Sequence, residues 1–236
     1  MRISGSVALV TGANRGMGRH FATQLLERGA AKVYATARNP ELVDVPGADT
    51  LPLDITSPSS VAAAARAAGD VTLLVNNAGT STYQNLVTGD PDKIRLEMDT
   101  HYFGTLSMVR AFAPVLAGHG GGAILNVCSV LSWLSFDGAN AYSAAKSAEW
   151  SLTNGIRLEL AGQGTLVTAL HVGAVDTDMM AGFDVDKSDP ADVVRAALDG
   201  IEAGALEVLA DGAAAAVKAG LSADPALLYS QTAGAS

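Results

Sequence analysis

The chain has 236 residues, of which 49% are hydrophobic, and a formal net charge of −9; this length fits one α/β domain with a substantial core. The acidic balance repels phosphate backbones and argues against nucleic-acid binding, and no apolar run is long enough to predict a membrane span. Cys128 is the single cysteine, so no internal disulfide can form, and with no predicted signal peptide this favours a cytoplasmic protein.

Strands and helices alternate along almost the whole chain. Apolar runs predict strands over residues 7–10, 32–36, 50–53, 71–75, 123–127, 166–171 and 207–209. Helices are predicted from the first glycine-rich turn to about residue 28 and over residues 57–68, 93–117, 142–160 and 190–203. Such alternation predicts one doubly wound α/β domain over residues 1–236, with a seven-stranded parallel sheet and helices on both faces. The Ala- and Gly-rich tail 211–236 is expected to be a frayed end or a subunit contact.

A glycine-rich turn, Thr-Gly-Ala-Asn-Arg-Gly-Met-Gly over residues 11–18, joins the first strand to the first helix. Glycines at such a turn let backbone N–H groups approach a pyrophosphate, and the helix N-terminus adds a favourable dipole. A tight turn needs glycine in any case, so its placement in the first strand-to-helix turn carries the prediction. The predicted phosphate-binding residues are Gly12, Asn14, Arg15, Gly16, Met17 and Gly18.

The end of the second strand predicts which dinucleotide binds. An NAD site usually has an acid here for the ribose 2′-hydroxyl, but this sequence has Ala37 followed by Arg38. Arg38 and Arg15 can pair with a 2′-phosphate through charge-assisted hydrogen bonds. Either arginine alone is as well explained as a solvated surface residue; together, with the acid absent, they favour NADP(H).

A candidate catalytic group lies around the fifth strand and the helix after it. Tyr142 and Lys146 are four residues apart, so the phenol and the ammonium lie on one helix face. A nearby ammonium stabilises phenolate and lowers a tyrosine pKa, which prepares the residue for proton transfer. Ser129 ends the fifth strand, where its hydroxyl would face the ligand crevice.

These motifs together resemble the short-chain dehydrogenase/reductase family. The glycine turn, the segment Asn-Asn-Ala-Gly at residues 76–79, Ser129 and Tyr142-x-x-x-Lys146 occur in the family's order, and the likeness runs from about residue 6 to residue 209. The resemblance implies a Rossmann-like fold and an NADP(H)-dependent oxidoreductase. Tyr142 would be the general acid in reduction and the base in oxidation, Lys146 would lower its pKa and hold the nicotinamide ribose, and Ser129 would orient the carbonyl.

The resemblance also implies further cofactor contacts. Asp54 would accept from the adenine amine, Asn76 would help to hold the crevice, and Thr177 would contact the nicotinamide carboxamide. For Asp54 and Thr177 a helix cap or an Asx turn is a competing explanation. The remaining predicted cofactor residues are Ala78, Gly79, Gly173 and Val175.

Two positions depart from the family pattern. His101 stands where the family has an asparagine whose main chain supports a proton-relay water. The imidazole, with a reference pKa near ~6.5, would either shuttle protons itself or be a packed histidine with one hydrogen bond. Val172 precedes Gly173 where the family has proline; because valine does not fix φ, we expect a looser loop on the nicotinamide side.

The sequence therefore predicts an NADPH-dependent carbonyl reductase acting on a small ketone or aldehyde. The alternatives are an NADP-dependent alcohol dehydrogenase acting oxidatively and a non-catalytic NADP-binding regulator. The histidines lack metal-ligand spacing, so no metal is predicted. Residues 133–136 would line a substrate pocket or pack beneath their loop, and residues 177–190 would form a short substrate lid. The resemblance implies a homodimer or homotetramer, for which apolar helix residues are candidates: Met108, Val109, Phe112, Trp150, Leu152 and Ile156.

Overall fold

The computed structural model describes residues 1–230. Its centre is a seven-stranded parallel sheet in the order β3-β2-β1-β4-β5-β6-β7. The strands are β1 Val7–Thr11, β2 Lys32–Ala37, β3 Asp49–Pro52, β4 Leu73–Asn76, β5 Ala123–Val127, β6 Leu166–His171 and β7 Glu207–Leu209. The strand order reverses between β1 and β4, so the ligand crevice of this doubly wound sheet lies outside the carboxyl ends of those strands.

Helices cover both faces of the sheet, as predicted. They are α1 Gly16–Glu27, α2 Pro58–Ala67, α3 Pro91–Met98, α4 Thr105–Gly118, α5 Asn140–Glu159, α6 Pro190–Ala203, α7 Gly212–Gly220 and α8 Pro225–Ser230. Side chains alternate along each strand, so β1 places Ala8 and Val10 in one core and Leu9 in the other. The first core is closed by α1 and α6, and the second by α2, α4 and α5. No helix within residues 1–230 is long and apolar enough to cross a membrane.

The long helix predicted over residues 93–117 is interrupted. A π-helical segment, Asp99–Gly104, separates α3 from α4. Gly104 is needed within it, because a Cβ there would lie 2.8 Å from Ile55 Cδ1. Such π-helical turns are rare and often lie at functional sites. This one contains His101 and turns its ring into the protein interior, where the side chain is fully buried.

The C-terminal segment is helical rather than frayed over residues 212–230. Asp211 caps α7 by accepting a hydrogen bond from Ala214 N at 2.7 Å. The backbone N–H of Ser135 donates to the Tyr229 hydroxyl at 3.1 Å, so α8 lies against the loop before α5. The expectation of a frayed end is therefore wrong for this part, and residues 231–236 lie outside the described residues.

Most of the residues offered for a subunit contact belong to the core of the chain itself. Met108, Val109 and Phe112 of α4, with Leu152 and Ile156 of α5, are at most 8% exposed, because these helix faces pack on the sheet. Trp150 is half-buried against Trp133, with their ring centroids 6.1 Å apart. These six residues therefore give no support to an oligomer.

Candidate active site

The glycine turn forms an open cradle at the N-terminus of α1. Gly12 and Gly16 have φ values of +68° and +51°, which favour glycine, and a Cβ on Gly18 would lie 2.0 Å from the Gly12 carbonyl oxygen. Arg15 occupies the N-cap position, but its side chain makes no capping hydrogen bond to α1. The first N–H groups of the helix therefore keep their capacity to bind an anion, and the turn fits the phosphates of a dinucleotide.

Thr11 and Asn77, which the sequence analysis did not single out, fix this turn against β4. The Thr11 hydroxyl accepts from Asn77 N at 3.0 Å and Ala78 N at 2.9 Å. The Asn77 amide donates to the Thr11 carbonyl at 2.9 Å and to the Gly12 carbonyl at 3.3 Å. Asn76 instead donates to Asn126 Oδ1 at 2.8 Å and is 4% exposed. Its side chain thus faces the interior of the sheet, while the Asn77 side chain contacts the glycine turn.

Two arginines lie near the end of β2 and at the glycine turn. Ala37 closes β2 and is buried, while the exposed Arg38 follows it with no ion-pair or hydrogen-bond partner within residues 1–230. Arg15 contacts Asp178 at 3.3 Å, and both side chains are 70% exposed. Exposed pairs of this kind contribute little, so both guanidiniums are available to a ligand phosphate.

Asp54 combines the two explanations that the sequence left open. Its Oδ1 accepts from Thr56 N at 3.0 Å and from the Thr56 hydroxyl at 2.7 Å, which is an Asx turn. Its Oδ2 has no hydrogen-bond partner in the described part of the chain. The turn therefore orients the carboxylate and leaves one oxygen as an acceptor for an amine.

Tyr142 and Lys146 lie together on α5, as their spacing predicts. The Lys146 ammonium is 5.7 Å from the centre of the Tyr142 ring. It donates to the Val127 carbonyl at 2.7 Å and to Glu149 Oε2 at 2.6 Å, and the residue is 4% exposed. The Tyr142 side chain is half-buried, and its hydroxyl has no hydrogen-bond partner within residues 1–230. The hydroxyl is thus free to meet a substrate oxygen.

The net shift in the pKa of Tyr142 differs from the expectation. Burial raises this pKa above its usual value, and the Lys146 charge opposes burial without outweighing it. The Glu149 carboxylate also acts to raise it. Burial alone would lower the pKa of Lys146, but the Glu149 charge, with smaller contributions from Tyr142 and Cys128, raises that pKa above its usual range. At neutral pH, then, Lys146 is charged and Tyr142 is protonated.

Ser129 is fixed by its place at the end of β5. Its Oγ accepts from Leu131 N at 3.1 Å, and its own N–H donates to Ser132 Oγ at 3.2 Å, which caps a single 3₁₀ turn. The Ser129 carbonyl contacts His171 Nδ1 at 3.0 Å. The hydroxyl hydrogen keeps its donor capacity, so Ser129 can donate to a carbonyl oxygen of a substrate.

His101 is a packed histidine with one strong hydrogen bond. Its Nε2 lies 2.7 Å from the Thr80 carbonyl, and its ring meets the edge of Tyr142 with centroids 5.1 Å apart. Burial, followed by the Lys146 charge, lowers the pKa of His101 well below its usual value. A Cβ on Gly79 would lie 2.7 Å from His101 Cε1, so this glycine makes room for the imidazole. The geometry favours packing over proton shuttling.

We therefore expect His101→Asn to retain catalytic activity within about threefold, with little change in the dependence of kcat on pH near ~6.5. A buried imidazole that stays neutral carries no proton in that range, and the main-chain carbonyl that would support a relay water is supplied by either residue. The measurement is kcat against pH for the wild-type and variant proteins at equal NADPH affinity. A tenfold loss of kcat in a folded variant would show that the imidazole takes part.

The loop after β6 is anchored rather than loose. Gly173 N donates to Asp211 Oδ2 at 2.8 Å, and Val130 N donates to the Val172 carbonyl at 3.0 Å. Val172 is 4% exposed. Hydrogen bonds at both residues replace the restraint that a proline ring would supply, so the expectation of a looser loop is not met.

The segment predicted to form a substrate lid, residues 177–190, begins beside the glycine turn. The Thr177 methyl group would lie 3.3 Å from a Cβ on Gly16, which places Thr177 against the predicted phosphate cradle. The Thr177 hydroxyl donates to the carbonyl of the buried Val175, 3.3 Å away. It does not cap the 3₁₀ turn Asp178–Met180. The structure thus brings Gly16, Val175 and Thr177 together at the crevice.

Aromatic residues around the lid divide into two groups. Trp133 stacks on His171 with centroids 3.8 Å apart, so it packs beneath its loop, and Leu134 faces a cavity of about 150 Å³ against α7 and α8. On the lid, the Phe183 ring lies 5.5 Å from that of Tyr83, whose hydroxyl donates to the Met179 carbonyl. Tyr83, which the sequence analysis missed, therefore joins the loop after β4 to the lid.

Metal and thiol chemistry find no support among the described residues. No group of three or more His, Cys, Asp or Glu side chains within residues 1–230 is arranged to hold a metal ion. Cys128 is 2% exposed, and burial raises the pKa of its thiol far above neutrality. The reactive groups of this site are hydroxyls and one ammonium.

Comparison with known proteins agrees with this geometry. A family model described as short chain dehydrogenase matches residues 6–188. A short chain dehydrogenase from Burkholderia cenocepacia J2315, solved in complex with NADP, is 41% identical, with a TM-score of 0.94 over 98% of this chain and 99% of that one. A gluconate 5-dehydrogenase from the same organism, in complex with NADP and tartrate, is 27% identical, with a TM-score of 0.78 over 84% and 89% of the two chains. An uncharacterized oxidoreductase of Staphylococcus aureus (strain MW2) is 30% identical over 83% of this chain and 90% of its own length.

Proposed function

This chain belongs to the short-chain dehydrogenase/reductase family, and on that premise we propose that it is an NADPH-dependent carbonyl reductase acting on a small ketone or aldehyde. One observation carries the proposal: the Tyr142 hydroxyl has no hydrogen-bond partner within residues 1–230, and the Lys146 ammonium lies 5.7 Å from the centre of its ring. A protonated phenol beside an ammonium suits a proton donor for carbonyl reduction.

The residues of the crevice fit NADP(H). The glycine turn and the uncapped start of α1 suit the two central phosphates, and Asp54 suits the adenine amine. Arg15 and Arg38, with Ala37 in place of an acid, suit the 2′-phosphate. The Burkholderia cenocepacia relative is a complex with NADP, which supports the same choice here.

In the proposed mechanism, bound NADPH supplies the hydride to the carbonyl carbon. Ser129 donates a hydrogen bond to the substrate oxygen and holds it near Tyr142. As negative charge builds on that oxygen, the Tyr142 hydroxyl transfers its proton to it. The Lys146 ammonium stabilises the phenolate that remains. Oxidation of an alcohol follows the same steps in reverse, with Tyr142 as the base.

Oxidation by the same residues is a second candidate, favoured by the gluconate 5-dehydrogenase among the similar structures. A non-catalytic NADP-binding regulator is a third, motivated by His101 in place of the family asparagine. The assembled Ser129, Tyr142 and Lys146 argue against the third, since a regulator has no need of them. A panel of ketones, aldehydes and alcohols assayed with NADPH and NADP separates the three candidates. Tight NADPH binding without turnover of any compound in the panel would refute the proposal that the protein is an enzyme.

We also propose that the protein forms a homodimer or a homotetramer, on the basis of its family resemblance. Light scattering should then give two or four times the subunit mass of 23.9 kDa. The exposed apolar residues Leu96, Phe103 and Leu158 replace the buried ones as candidates for the contact. A mass equal to one subunit at working concentrations would contradict the proposal. The chain's single cysteine fits a cytoplasmic location.

A further inference from the structure

A buried carboxylate lies behind the Tyr142–Lys146 pair. Glu149, 1% exposed, is three residues after Lys146 on α5, and its Oε2 lies 2.6 Å from the Lys146 ammonium. Its Oε1 accepts from the Thr105 hydroxyl at 3.1 Å, which ties α5 to α4. Oε2 is also 3.8 Å from His101 Nδ1, a buried nitrogen with no hydrogen-bond partner in the described residues.

Removing a carboxylate from water is costly unless an opposite charge and good hydrogen bonds accompany it. Here Lys146 and Thr105 supply both, and they offset part of the rise in the pKa of Glu149 that burial causes. The short contact to Lys146 is a charge-assisted hydrogen bond. Glu149 and the Val127 carbonyl together fix where the ammonium lies.

The charges facing Tyr142 show what this pairing does. Lys146 carries the positive charge on α5 and Glu149 balances it, while Glu97 of α3 adds a second carboxylate. His101, from the π-helical segment, is neutral because burial lowers its pKa, and Cys128, after β5, is a neutral thiol. A phenolate at Tyr142 would therefore form beside a cation whose charge Glu149 partly balances.

We propose, resting on the proposed function, that Glu149 is a positioning residue: it fixes the Lys146 ammonium and, by balancing its charge, keeps Tyr142 in the proton-donating form that favours carbonyl reduction. Glu149 touches neither substrate nor cofactor in this account and acts only through Lys146.

Glu149→Gln tests the proposal, because the amide keeps the shape and removes the charge. Ultraviolet titration of the phenol without substrate, with Tyr142→Phe proteins to identify the Tyr142 signal, should show the Tyr142 pKa falling by about one unit or more. The ascending limb of kcat/KM for alcohol oxidation, which follows the loss of the Tyr142 proton, should move to lower pH by a similar amount. Glu159→Gln is the matched control: it makes the same charge change at an exposed position on α5 and should leave both curves unchanged.

An unchanged Tyr142 titration in folded Glu149→Gln would overturn the inference, even if the enzyme turns over. A shifted titration with no turnover on any substrate would instead count against the proposed function alone. If Glu149→Gln does not fold, thermal unfolding of Lys146→Met and of the double variant Lys146→Met/Glu149→Leu replaces it. The double variant should melt about 5 °C or more above the single one, since it no longer buries a lone carboxylate. An equal or lower midpoint would overturn the inference.

Discussion

Tyr142→Phe should lower kcat by about 10²–10⁴-fold while leaving NADPH affinity nearly unchanged. In the proposed mechanism the hydroxyl supplies the proton to the substrate oxygen, and it has no protein partner within residues 1–230 whose loss would disturb the fold. The ring remains in its edge contact with His101. Steady-state kinetics of carbonyl reduction, together with NADPH binding followed by fluorescence, measure the two quantities separately.

The matched control for this substitution is Tyr102→Phe. It removes the hydroxyl group of the tyrosine that follows His101 in the π-helical segment. Its activity should stay at the wild-type level, because no step of the proposed mechanism uses that hydroxyl. If Tyr142→Phe retains activity within about threefold of wild type, Tyr142 is not the proton donor and the mechanism fails.

Arg38→Asp should lower the NADPH-to-NADH ratio of kcat/KM by about tenfold or more. The change removes a cation available to the 2′-phosphate and places an acceptor directly after Ala37, the position at which an NAD site has its acid for the ribose hydroxyl. A hydrogen bond to a charged group contributes about 1.5–3 kcal/mol, which corresponds to roughly 10–100-fold in affinity. The measurement is kcat/KM with each cofactor at saturating substrate.

Arg66→Asp is the control for this change in net charge, since Arg66 is an exposed arginine at the far end of α2. It should leave the ratio of the two cofactors unchanged. Should the wild-type enzyme already prefer NADH, the assignment of Arg15 and Arg38 to a 2′-phosphate is wrong, whatever the variant does.

The centre of the sheet was predictable because its strands are short apolar runs bounded by turn residues. The buried runs in β1 and β5 are examples: both are hydrophobic on either face, as parallel strands covered by helices must be. The π-helical segment was not predictable, since its residues 99–104 fit the pattern of a continuous helix. Helix α7 was missed because its Ala- and Gly-rich sequence carries too little contrast to reveal a buried face, and α8 was missed because six residues are too few to show a helical repeat.

The candidate site likewise contains residues that the sequence predicts and residues that it does not. Tyr142, Lys146, Ser129 and the glycine turn form local motifs whose spacing is visible in the sequence. Glu149 was missed although it lies three residues after Lys146, because the spacing predicts contact but not burial. Its burial depends on Thr105 and His101, which approach from a different part of the chain. Asn77 was passed over for Asn76 because sequence does not fix which of two adjacent side chains leaves the sheet.

The Asp211 carboxylate links helix α7 to two segments that lie beside the candidate active site. One carboxylate accepts from Gly173 N at 2.8 Å, from the Ser188 hydroxyl at 3.3 Å and from Ala214 N at 2.7 Å. The loop after β6, the end of the lid and the start of α7 thus share a single anchor. For protein engineering, this means that a shortened enzyme that ends at β7 would lose the anchor of the loop after β6. Exchanges of residues 177–190 between relatives must carry residues 188 and 211 together.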